Sequence, residues 1–146
     1  MQTIVTRSIK APLATVFETV ADIHNFQRVI PNIVRVDMLS DVRSGVGTRF
    51  RETREMNGRE VSTELEVTEY VPNDHVRIVS DTQGTIWDTT FRVRDEGGAT
   101  ELVMEMDARA HKILPRLINP LIRGVVQRAV EKDMDAVKAH CEGSQA

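Results

Sequence analysis

Cysteine is almost missing from this chain. The single residue, Cys141, excludes an internal disulfide and any metal site built from several thiolates, and it suits a reducing compartment. A surplus of positive charge is missing too. Nineteen Lys and Arg are interspersed with 22 Asp and Glu for a net charge of −3, which leaves no basic footprint for nucleic acid or an anionic membrane. No apolar run approaches membrane-spanning length. The start, Met1 to Arg7, enters a strand pattern with no charged-then-apolar leader. A cytoplasmic protein is the expectation, with no membrane insertion and no nucleic-acid partner; nothing in the sequence sets an oligomeric state. Catalytic signatures are absent as well: no His-Glu-x-x-His helix, no Gly-x-Ser-x-Gly elbow and no phosphate loop. His24, His75, His111 and His140 are scattered without metal spacing, so neither a metal nor a cofactor is expected.

What is present is a long amphipathic stretch near the end, from Leu117 to Cys141. From Asn119-Pro120 onward, Ile118, Leu121, Ile122, Val125, Val126, Ala129, Val130, Met134, Val137 and Cys141 recur at three-and-four spacing, which predicts one helix with a broad apolar stripe. About 20–24 residues of helix span roughly 30–36 Å, too long for one short neighbour to cover. Something wide and curved must receive it. With 146 residues the chain is expected to form a single domain over 1–142, leaving 143–146 as a loose tail.

Upstream, residues 2–9 read as a strand. Pro12 opens a short helix with Leu13, Val16, Phe17 and Val20 on its buried face. Asp22 caps a second helix carrying Phe26 and Ile30, and Pro31 stops it. Strands follow at 33–40, in a hairpin turning at Asn57-Gly58, at 75–81, and in a second hairpin turning at Gly97-Gly98. The first turn sets a register that puts Phe50/Leu65, Thr48/Val67, Glu52/Thr63 and Arg54/Val61 on one face. Arg49/Glu66 and Arg51/Glu64 share the other, where their opposite charges support the same register. The second turn puts Val93/Leu102, Phe91/Met104, Thr89/Met106 and Trp87/Ala108 inward. Val76, Ile78 and Ser80 share that face. The predicted class is α+β: a curved antiparallel sheet of six or seven strands wrapped around the last helix. Asn119-Pro120 and Leu114-Pro115 place two prolines five residues apart, so 114–120 is expected to be an irregular connector with no regular helix.

In this order the chain resembles the START/polyketide-cyclase-like (SRPBCC, helix-grip) superfamily, which includes the birch pollen allergen and coenzyme Q-binding proteins. The resemblance rests on Ile9-Lys10-Ala11-Pro12 with Val16-Phe17, on Ala21-Asp22 followed by Ile30-Pro31, and on Gly45-Val46-Gly47-Thr48-Arg49-Phe50. It continues through Val67 to Pro72, Gly98 to Leu102, and Asp133 to Glu142. It implies a hydrophobic or amphipathic small molecule, such as a lipid or a quinone-like, aromatic or polyketide metabolite, held between sheet and helix. In some branches it implies cyclase or dehydratase chemistry in the same cavity.

The residues expected to line such a cavity are Phe50 and Leu65 from the first hairpin, Ile78, Trp87, Phe91, Met104 and Met106 from the later strands, and Ile122 and Val126 from the helix. An apolar stripe of this kind serves equally as packed core. More informative are the inward polar groups Glu52, Arg54, Thr63, Ser80 and Thr89, because buried charge is costly unless paired or wet. In a ligand site Arg54 would meet a carboxylate, carbonyl or enolate and Glu52 would orient it; Arg54→Ala would then weaken binding of an acidic or carbonyl-bearing apolar ligand and leave the melting temperature nearly unchanged. The same two residues are the candidates for catalysis. Family cyclases use aromatic and basic cavity groups, and here Tyr70 is the sole tyrosine and aromatics make up only 4%. A third reading is a protein-interaction module with its interior filled by side chains.

Overall fold

The structure, a computed structural model, describes residues 1–118 and 122–143. Asn119, Pro120 and Leu121, read above as the opening of the long helix, and Ser144 to Ala146 of the tail lie outside the described residues. Strand β1 (Gln2–Ile9) leads into α1 (Leu13–Ala21) and α2 (Ile23–Val29). Strands β2 (Ile33–Met38), β3 (Arg49–Met56), β4 (Arg59–Val71), β5 (His75–Thr82), β6 (Thr85–Asp95) and β7 (Thr100–Ala110) follow, then α3 (Ile113–Ile118) and α4 (Arg123–Gly143). The strands form one antiparallel sheet in the order β1-β7-β6-β5-β4-β3-β2.

Both hairpin registers follow from their turns. Asn57 and Gly58 take φ values of 53° and 78°, the pair of left-handed residues that a tight two-residue hairpin needs. From there Phe50 pairs with Leu65 and Glu52 with Thr63. Gly97 and Gly98 do the same for β6 and β7, pairing Trp87 with Ala108 and Phe91 with Met104. The register slips at Thr68, between the pairs made by Val67 and Glu69, and again at Val34. Such bulges bend a strand and raise its twist, and here they help to curl the sheet.

One expectation needs correcting: α4 does not cover the concave face alone. Helix α1 lies on β5, β6 and β7, with Val16, Phe17 and Val20 buried there and the Phe17 ring edge-on to Tyr70 at 5.4 Å. Phe26 of α2 meets Phe91 at 5.9 Å between ring centres. Asp22 caps α2 by accepting from the His24 N–H at 2.8 Å. Helix α4 is tied instead along β1, where Arg7 pairs with Asp135 at 2.6 Å, Lys138 donates to the Ser8 carbonyl, and Glu142 accepts from the Lys10 N–H at 2.9 Å. The short helices take the middle of the sheet because their own apolar faces must be buried too.

A second correction concerns 114–120. Residues Ile113–Ile118 form α3, so Ile118 ends that helix. Pro115 falls in its first turn, where backbone N–H groups have no intrahelical partner to lose, and the Arg116 N–H reaches the Lys112 carbonyl at 3.2 Å. Likewise Gly143 belongs to α4, not to the tail.

Candidate functional site

The apolar stripe of α4 meets two different environments. Its second half is solid core: Val130, Met134, Val137 and Cys141 are buried with Ile9, Val16, Val76 and Leu102. Its first half stands over open space. Ile122, Val125, Val126 and Ala129 line a cavity of about 800 Å³, and Val125 is 54% exposed although it belongs to the stripe. The reason lies in the layering. Helices α1 and α2 fill the concave face at one end, and among the described residues no helix fills it in the same way beneath the start of α4. The space there differs from the side-chain-filled interior that went with the interaction-module reading.

Every residue expected to face this space lines it. The β3–β4 hairpin supplies Phe50, Glu52, Arg54, Thr63 and Leu65; β5 supplies Ile78 and Ser80. Strand β6 contributes Trp87, Thr89 and Phe91, β7 contributes Met104 and Met106, and Ile122 and Val126 close the helix side. The loop residues Arg43 to Gly45 and, from the stretch around α3, Lys112 and Leu114 stand at the same cavity. The wall is mostly apolar, and three methionines, Met56, Met104 and Met106, give it side chains that adapt to different shapes.

The polar part of the wall differs from expectation in one respect: a third residue joins it. Arg54 pairs through Nε with Glu52 and donates from Nη1 to Asp133 of α4 at 2.9 Å. All three side chains are largely buried, Glu52 at 12% and the other two at 23% exposure. Burial pulls the Arg54 guanidinium down, but Glu52 and Asp133 more than offset it, so it is held above its ordinary value. Burial pushes the Asp133 carboxyl above the usual carboxylate range, against the pull of Arg54. Sequence reasoning missed Asp133. The signal was present: it lies three residues after Val130 and four before Val137, an acid on the helix's apolar face. Nearby, Ser80 and Thr82 share a hydroxyl–hydroxyl hydrogen bond of 2.6 Å.

Elsewhere the reading of individual residues is ordinary. Cys141 is fully buried, its Sγ 3.5 Å from the Thr19 hydroxyl, and burial pushes its thiol up, away from nucleophilic use. Asp88 and Asp107 face each other on the outer side of the sheet, as the register requires. They belong to a solvated charge cluster whose centre is Arg77: it grips Asp88 at 2.9 and 2.6 Å and reaches Glu69 at 2.9 Å. Among the described residues, no group of three His, Cys, Asp or Glu is placed to hold a metal ion, and no helix is long and apolar enough to cross a membrane.

Residues 2–142 match the family model described as polyketide cyclase / dehydrase and lipid transport. No curated protein matches the chain significantly. Among solved structures, a protein of Thermus thermophilus superposes with a TM-score of 0.81 at 19% identity, covering 100% of both chains. A START superfamily protein from Mycobacterium smegmatis gives 0.79 at 17% identity over 97% of each chain. A di-domain ARO/CYC of the steffimycin biosynthetic pathway gives 0.78 at 12% identity, with 99% of this chain covering 52% of that one. At these identities the likeness speaks for the fold.

Proposed function

The chain belongs to the polyketide cyclase / dehydrase and lipid-transport family, and within it we propose that this protein binds a hydrophobic or amphipathic small molecule between its sheet and α4. The observation that carries this reading is the cavity of about 800 Å³, walled by Phe50, Leu65, Trp87 and Met106 and roofed by the unburied half of the α4 stripe. Its size falls in the range of small-molecule sites, which are mostly apolar with a few placed polar groups. An apolar surface left in contact with water gains free energy on receiving an apolar ligand, about 25 cal/mol per Å² covered. A lipid, a quinone-like compound or an aromatic metabolite meets the description, and the cytoplasm is the compartment we assign.

Native mass spectrometry of the purified protein tests this, together with titration of a neutral dye that fluoresces in apolar surroundings. Binding is expected in the wild type and is weakened when Val126→Trp takes up part of the space. A bare mass, with no dye bound by the wild type, overturns the reading.

One observation favours an enzymatic reading of the same cavity. Asp133, with its raised carboxyl beside Arg54, stands where an acid–base group would reach a bound molecule, with Glu52 and Arg54 as its partners. Turnover of a poly-ketone by the wild type, abolished in Asp133→Asn without loss of dye binding, would establish it; no turnover by the wild type would dismiss it.

A further inference from the structure

The charge balance of the Glu52–Arg54–Asp133 group determines which end of an amphipathic molecule the cavity accepts. One guanidinium serves two carboxylates, so the group carries a net negative charge when both acids are ionised. Arg54 spends Nε on Glu52 and Nη1 on Asp133. What remains is Nη2 and one Nη1 hydrogen on Arg54 and one free oxygen on each acid, so the preference of the group follows from its net charge. Glu52 uses only Oε1 and Asp133 only Oδ2 toward Arg54, and their second oxygens have no hydrogen-bond partner among the described residues. Both residues line the cavity. The polar wall also includes Thr63, Ser80 and Thr89, hydroxyls that accept or donate and add no positive charge. The cations that also reach the cavity, Arg43 and Lys112, are exposed to water and screened by it. The triad sits in lower dielectric, where its charge counts for more.

We propose that the ligand's polar end is a hydrogen-bond donor, an amine or a hydroxyl, received by Glu52 and Asp133, and that carboxylate-ended molecules are disfavoured. This rests on the cavity being the binding site, and it reverses the expectation that Arg54 serves an acidic ligand. An incoming carboxylate would meet two acids around the single cation that both of them already contact. An ammonium or hydroxyl would complete acceptors that otherwise depend on water.

Three probes with the same twelve-carbon chain, dodecylamine, dodecanol and dodecanoate, are compared for displacement of a neutral apolar dye at neutral pH, below their micelle-forming concentrations. The amine is expected to bind at least about tenfold more tightly than the acid, with the alcohol between them. In Glu52→Gln the preference shrinks, and in the Glu52→Gln/Asp133→Asn double variant, where Arg54 stands unopposed, it turns toward the acid. The wild-type series decides the matter even where a variant fails to fold. Dodecanoate binding as tightly as dodecylamine overturns the inference and leaves the cavity reading standing. No binding of the dye or of any probe overturns both.

Discussion

Arg54 on β3 and Asp133 on α4 stand 79 residues apart in sequence and 2.9 Å apart in space. That contact joins the far half of the sheet to the long helix across the cavity. It stands in the wall of the cavity.

Its first consequence concerns Arg54→Ala. From sequence alone the substitution is expected to leave stability unchanged. With the triad formed, it leaves Glu52 and Asp133 close together, largely buried and without a counter-charge. We expect a loss of about 1–3 kcal/mol, read as a lower urea midpoint at neutral pH. The loss should shrink in acid, as the raised Asp133 carboxyl takes up its proton. A midpoint equal to that of wild type would show that the pair contributes nothing.

Helix α4 should divide stability from binding along its length. Met134 is fully buried, and Met134→Ala is expected to cost about 2–5 kcal/mol. Val125→Ala, on the half that roofs the cavity, is expected to change stability by less than about 0.5 kcal/mol and to weaken dye binding. Urea unfolding and fluorescence titration on the same two variants check both halves of the claim.

Acid should weaken the outer face. Hydrogen bonding by Arg77 holds the Asp88 carboxyl below its ordinary value. A depressed folded-state value means that the stabilisation is present above the ordinary aspartate range and disappears as pH falls through the depressed one. The stability difference between wild type and Asp88→Asn is therefore expected to be largest near neutrality and to close in strong acid. A difference independent of pH would contradict the assignment.

His75 should titrate above the ordinary histidine value. Its Nδ1 meets Asp74 at 2.5 Å, the chief cause of the upward shift, burial opposes it, and Nε2 meets Glu69 at 3.1 Å. A raised value stabilises the fold below the ordinary histidine value of 6.5, and the benefit is lost as pH rises through the folded-state one. Imidazole proton shifts followed by NMR should show the late titration, and Asp74→Asn should bring it back toward normal.

Much of this architecture is local in origin and so was legible in the residues. Asn57-Gly58 and Gly97-Gly98 fix turn geometry, and a turn fixes every pair along its two strands, because a one-residue slip would turn Phe50 and Trp87 outward. The α1–α2 boundary was legible for the same reason: Asp22 satisfies an N–H two residues away. Proline chemistry was read too broadly at Pro115, since its cost depends on which turn of a helix it occupies.

What the chain determined by itself is the set of side chains that face inward, because strand alternation and helix periodicity act over a few residues. Whether those side chains meet one another or meet empty space depends on how α1 and α2 share the sheet with α4, and that is decided only when distant elements pack. The roles of Met134 and Val125 on one stripe, and the capture of Arg54 by Asp133, are tertiary outcomes for this reason. Periodicity names the face of a helix, and only packing across the whole domain sets what lies opposite each turn of it.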